Sequence, residues 1–313
     1  MRNRGMVQSV RTFPPLFAWR ILRDTANAFM DDCALRLSAA LSYYSVFSLA
    51  PLLIIAIGIA GTVFGEAAVR GQLDGQLRQY VGAQAAEAVQ SMIQSAGKEG
   101  KGPWAAVLGF SALLIGASGV FGQLKDALNT IWKVKAKAGA GFRGFIRDRV
   151  LSFGMVLVIG FLLLMSLLVT TLLAAFSQYT RAYVPVPDPL WTVVNLGVSM
   201  LASTALFASI FKVLPDVRVP WRTVGLGAFV TAILFEIGKF LLAFYLGRES
   251  TASSYGAAGS VILVLLWVYY AAAILLFGAE FTRIYARATD TAVKPSRFAE
   301  PVMPGTRARE GME

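Results

Sequence analysis

Two acidic–basic pairs stand in or beside long apolar runs of this chain: Glu236 with Lys239, and Glu280 with Arg283. Each is spaced i to i+3 with the carboxylate N-terminal, so on a helix its members share one face in the better order for pairing. Glu236 and Lys239 fall near the middle of an apolar run, where an unpaired charge costs about 3 kcal/mol and is a functional candidate by default. The pair admits two readings: a self-neutralising lock for helix packing, or a site for a substrate, a proton or an ion. Glu280 and Arg283 fall at the end of their run and read as a local ion pair at the membrane interface. Asn195, Ser199 and Ser203 recur every four residues. Ser38, Ser42 and Ser45 form a second stripe, with Tyr43 and Tyr44 beside it. Such stripes either make interhelical hydrogen bonds, worth roughly 1 kcal/mol or less each, or converge with Glu236 and Lys239 on one polar cavity. Pro51 removes a backbone donor from the helical ladder, which predicts a kink.

Other chemistries are excluded by what the chain lacks. There are no histidines, and Cys33 is the one cysteine. Ser-His-Asp catalysis and histidine-containing zinc or haem sites cannot be built, so no cofactor and no metal is expected. Cys33 is expected to pack as a small apolar residue on a helix. No glycine-rich loop followed by Lys-Ser/Thr precedes a helix, which leaves nucleotide-driven pumping unsupported.

The elements that must carry these groups are set by composition. Of 313 residues, 56% are hydrophobic and 15% charged, against roughly a quarter charged in soluble domains. Such a chain cannot cover itself with polar groups, so the lipid bilayer must cover much of it. Six apolar runs, about 37–63, 104–124, 150–176, 190–211, 223–246 and 257–281, each approach the roughly 20 residues that span a bilayer. The expected fold is all-α, a polytopic membrane bundle of six transmembrane helices.

Lys and Arg set its orientation, because positive loops stay in the cytoplasm. Six precede the first run, seven lie between the second and third (Lys125 to Arg149), three between the fourth and fifth, and six follow the last. The third and fifth loops hold only Arg181 and Arg248. The first carries four, balanced by Glu66, Asp74, Glu87 and Glu99. This alternation predicts a bacterial inner (cytoplasmic) membrane protein with both termini in the cytoplasm. The net charge of +11 follows from that topology, and no basic block with interleaved aromatics suggests nucleic acid.

Residues 1–36 read as a cytoplasmic, interfacial amphipathic segment, with Trp19, Leu22, Ala26, Phe29, Met30, Cys33 and Leu37 at helical spacing. Residues 37–286 form the transmembrane domain. Its outer loop, 64–103, is expected to be helical: Val69, Leu73, Leu77 and Val81 recur every four residues, Gly82 interrupts, and Ala85, Ala88, Val89, Met92 and Ile93 continue. Residues 287–313, rich in proline and charge, are expected to be a disordered cytoplasmic tail. Glycines of the second run (Gly109, Gly116, Gly119 and Gly122) and Gly256–Ser260 predict close helix packing. Trp267, Tyr269 and Tyr270, inside the last run, are read chiefly as packing.

Four stretches carry a resemblance. They are ALSYYSVFSLAPLL at 40–53, LKDALNTIW at 124–132, FKVLPDVRVPWR at 211–222 and the long segment from Gly238 to Arg283. As a set the chain resembles the YihY/virulence factor BrkB family of bacterial inner-membrane proteins. The resemblance implies six helices with both termini inside. The family's name comes from a serum-resistance association, and transport or export has been suggested for it. An older family label is ribonuclease BN, but the absence of histidine argues against a metal-dependent nuclease, and no enzyme is expected. The expected function is transport, export or flipping of a small or amphiphilic envelope molecule such as a lipid, with a non-catalytic scaffold or envelope-assembly partner as the alternative.

Overall fold

The structure, a computed structural model, describes residues 15–46, 61, 65–81, 86–87, 89–91, 93, 119–137, 154, 188–248, 257–297 and 299–302. Pro51, most of the first three apolar runs and the glycines at 109 and 116 lie outside them.

Within these residues the chain is mostly helical: α1 (Pro15–Asp31), α2 (34–46), α3 (Glu66–Val81), α4 (119–131), α5 (Asp188–Val213), α6 (Trp221–Arg248) and α7 (Ala257–Ala288). Stretches of α5, α6 and α7 (Leu196–Val213, Trp221–Leu241 and Val264–Ala288) are long and apolar enough to cross a membrane. Their mean hydropathy is nearly equal, yet only 17% of the α5 stretch is buried against 44% of the α7 stretch. α7 is therefore the inner helix, while α5 and the outer side of α6 present Leu201, Phe229, Ile237 and Phe240 outward, as a lipid-facing surface requires.

Small residues bring α6 and α7 together. Thr231 Oγ1 donates to the Gly227 carbonyl and Thr282 Oγ1 to that of Gly278, each at 2.7 Å. Each threonine then packs on the other helix's glycine: a Cβ on Gly227 would lie 1.9 Å from Thr282 Oγ1, and one on Gly278 would lie 1.9 Å from Thr231 Oγ1. The hydroxyls are satisfied within their own helices, so the contact is close packing without an orphaned polar group. By contrast Gly122, read as a packing glycine, has nothing within 4 Å of where a side chain would go, and a Cβ on Gly119 would make ordinary contact with the Tyr44 ring at 3.6 Å.

At one end of the bundle short antiparallel strands tie the connections together. β1 (Val134–Ala136) pairs with β4 (Ala299–Pro301), and β2 (Val217–Arg218) with β3 (Lys294–Pro295). This corrects the expectation that the chain is disordered from residue 287. α7 runs to Ala288 and is closed by Asp290 in the left-handed conformation (φ 50°). The Thr291 amide bonds back to the Ala286 carbonyl at 2.8 Å. Backbone pairing and the burial of Ala299 then hold the chain as far as residue 302. Composition hid this, because the order comes from distant loops.

The first helical boundary also differs from expectation. The helix breaks at Asp32 and Cys33, not near residue 36, and Cys33 is exposed with φ 51° instead of packed on a helix. α1 is amphipathic with its apolar stripe outward: Trp19, Leu22 and Met30 are exposed while Ile21, Thr25 and Asp32 face the bundle. Between the first two apolar runs α3 ends at Val81, immediately before Gly82, and Ala86, Val89 and Ile93 beyond it are buried.

A candidate intramembrane polar site

α6 carries Glu236 roughly 22 Å along its axis from Trp221, well inside the apolar stretch. Lys239 Nζ donates to Glu236 Oε1 at 2.8 Å, closing the i,i+3 pair. Ser199 Oγ, from α5, donates to the same oxygen at 2.8 Å. The side chains of Glu236 and Lys239 remain 18% and 15% exposed.

Aromatic rings wall the pair. Lys239 Nζ stands 5.6 Å from the Phe235 ring centroid, and Phe235 packs edge-on against Phe207 of α5 and Trp267 of α7. Gly238 admits the Tyr270 hydroxyl, which would lie 2.3 Å from a Cβ there, so α7 meets α6 one residue before Lys239. The result is a net-neutral couple of one carboxylate and one ammonium, fixed by a hydroxyl and opening between apolar helix faces. It can offer opposite charges to an amphiphile's headgroup without holding a net charge in the membrane.

The structure gathers part of the expected cluster. Ser199, Glu236 and Lys239 meet. The backbone of Asn195 lies one turn before Ser199 on α5. Tyr43 and Tyr44 do not enter a buried cavity: both are exposed, and their rings meet edge to face at 5.9 Å. Ser42 is buried on α2, and Ser38 is buried with its hydroxyl spent on the Ala34 carbonyl. Serine spacing could not distinguish such local bonding from a lined cavity.

Glu280 and Arg283 pair locally at 2.7 Å, and the pair is buried. Arg283 also reaches Asp32 at 3.5 Å, and Asp32 takes an ion pair and hydrogen bond from Lys133. Burial alone would raise the Asp32 carboxyl; Lys133, with Arg283 and a hydrogen bond from Glu280, holds it below the usual aspartate range. Sequence reasoning missed Asp32 and Lys133, because their pairing joins positions 101 residues apart.

A second network explains two of the recurring stretches. Asn129 accepts from the Asp216 amide at 2.8 Å and donates to the Asp216 carboxylate at 3.2 Å, while Lys125 pairs with that carboxylate at 3.0 Å. LKDALNTIW is thereby fastened to FKVLPDVRVPWR, and the Ser296 amide donates to the Asp216 carbonyl at 2.8 Å.

Apolar spanning-length helices, an outward apolar surface and charges gathered in a few networks define a helical membrane protein. The model of the virulence factor BrkB family matches residues 25–301, and the chain belongs to that family. It is 29% identical over 267 residues to a UPF0761 membrane protein of Alteromonas mediterranea, covering 83% of this chain and 87% of that one. Similarity to a UPF0761 membrane protein of Pseudoalteromonas atlantica is 27% identity over 78% of each chain. A third, from Alkalilimnicola ehrlichii, is 26% identical over 83% of this chain, which spans 57% of that relative's length. No solved structure gives a significant match.

Proposed function

We propose that this chain moves or hands over a small or amphiphilic envelope molecule through the Glu236–Lys239 site. It does so as a six-span protein of the bacterial inner membrane with both termini in the cytoplasm. One observation carries the reading: an ion pair deep in α6, held by Ser199, keeps part of both side chains exposed on otherwise apolar helices. A pair serving only to lock helices would gain most from complete burial between them. A zwitterionic or anionic headgroup could exchange for one partner of the pair while its apolar part stays against the outward faces of α5 and α6. No chemical step is required, and we place the protein outside the enzymes; with no histidine in the chain, the ribonuclease label finds no support. The alternative, a scaffold or assembly partner, draws its support from the ordered outer helix α3, which touches both α6 and α7.

Reconstitution into vesicles holding a fluorescent phospholipid tests the reading. Faster exchange between leaflets than in protein-free vesicles is expected, and equal rates would overturn it for lipids. Reporter fusions should put the 125–149 segment and both termini in the cytoplasm; a periplasmic 125–149 segment would overturn the topology.

A further inference from the structure

The buried network at the strand-bearing end holds a feature that ion pairing alone leaves unresolved. Glu280 is fully buried, and its Oε1 meets no hydrogen-bond donor among the described residues. Its Oε2 is taken by Arg283, at 3.0 Å from Nε and 2.7 Å from Nη2. The same Nη2 lies 3.5 Å from Asp32 Oδ2, so one guanidinium carries both carboxyls and holds them side by side. An ionised carboxylate only accepts hydrogen bonds. With both groups ionised, like charges would face each other out of water; one proton between them converts that repulsion into an O–H···O bond.

Among the described residues the charged groups paired at this place are Asp32 from the α1–α2 turn, Lys133 from the turn after α4, and Glu280 and Arg283 from α7. α6 brings the uncharged Gly227 and Thr231 against α7 nearby. Cys33 (φ 51°), next to Asp32, and Lys133 itself (φ 56°) stand in the left-handed conformation just past the ends of α1 and α4, the turn that closes a helix, so Asp32 and Lys133 meet where two helix ends adjoin.

We infer that Asp32 and Glu280 form a proton-binding site which, when loaded, locks the α1–α2 turn and Lys133 onto α7. Deprotonation leaves two facing carboxylates and loosens the lock. The site does not depend on the transport reading and would operate equally in a scaffold.

Infrared spectroscopy of the full chain in detergent or nanodiscs tests this. At neutral pH the wild type should show the carbonyl stretch of a buried carboxylic acid amounting to one group per chain. Glu280→Gln should lose it, and so should Asp32→Asn, whose amide supplies the donor that Glu280 needs. Glu87→Gln should keep it. In the wild type the band should disappear as pH rises. Over the same range a nitroxide on the sole cysteine, the exposed Cys33, should gain mobility. That titration needs no variant, so the test survives if the substitutions fail to fold. A band unchanged in both variants would overturn the proton site, and a label indifferent to pH while the band titrates would overturn the lock.

Discussion

α6 and α7 carry the same local device, a glutamate followed three residues later by a cation, and the bundle gives it opposite settings. Glu236 and Lys239 are 18% and 15% exposed, and Ser199 donates to the Glu236 carboxylate. Glu280 and Arg283 are 0% and 6% exposed and are joined by Asp32 and Lys133. Spacing determines that such a pair can form; the neighbouring helices determine whether it is sealed or open. A sealed pair ties segments together, and its loss is felt as instability. An open pair stays within reach of a partner, which is what the proposed function draws on.

The largest stability effect should come from the sealed cluster. Arg283→Ala leaves two buried carboxyls without their shared cation and should cost about 3–5 kcal/mol, read as a lower thermal midpoint in detergent. The helix crossing comes next. Gly227→Ala drives a methyl group into Thr282 and should cost about 1–3 kcal/mol, and Thr282→Ala in the same chain should restore part of it. Gly225→Ala, with nothing within 4 Å of the new Cβ, should stabilise by up to about 1 kcal/mol through helix propensity. Asn129→Ala removes both bonds to Asp216 while Lys125 remains, at a cost of about 1 kcal/mol. Arg78→Ala breaks the exposed contacts to Asp74 and Glu87 and should leave the thermal midpoint unchanged, because solvent screens both pairs. If Arg283→Ala proved as mild as Arg78→Ala, the contrast between sealed and open pairs would collapse.

Much of this was legible in the sequence. The apolar runs at 190–211, 223–246 and 257–281 correspond to α5, α6 and α7, because lipid imposes both length and composition on a spanning helix. The four-residue period ending before Gly82 located α3. Both i,i+3 pairs were visible because their partners are local. Asp32 was not, since its cations lie 101 and 251 positions further along the chain, at Lys133 and Arg283. The same holds for Asn129 with Asp216, separated by 87 positions, and for the strands that order residues 294–301. Tyr43 and Tyr44 are exposed on α2, which the sequence could not show: periodicity assigns residues to one face of their own helix and says nothing about which way that face points.

Glu236→Gln measured for both stability and lipid exchange tests the central claim most directly. The open-site account predicts a thermal midpoint within a few degrees of the wild type and vesicle exchange reduced at least about tenfold, a loss of roughly 1.4 kcal/mol in the barrier. Unchanged exchange, or exchange and stability falling together, would mark the pair as packing and contradict the account.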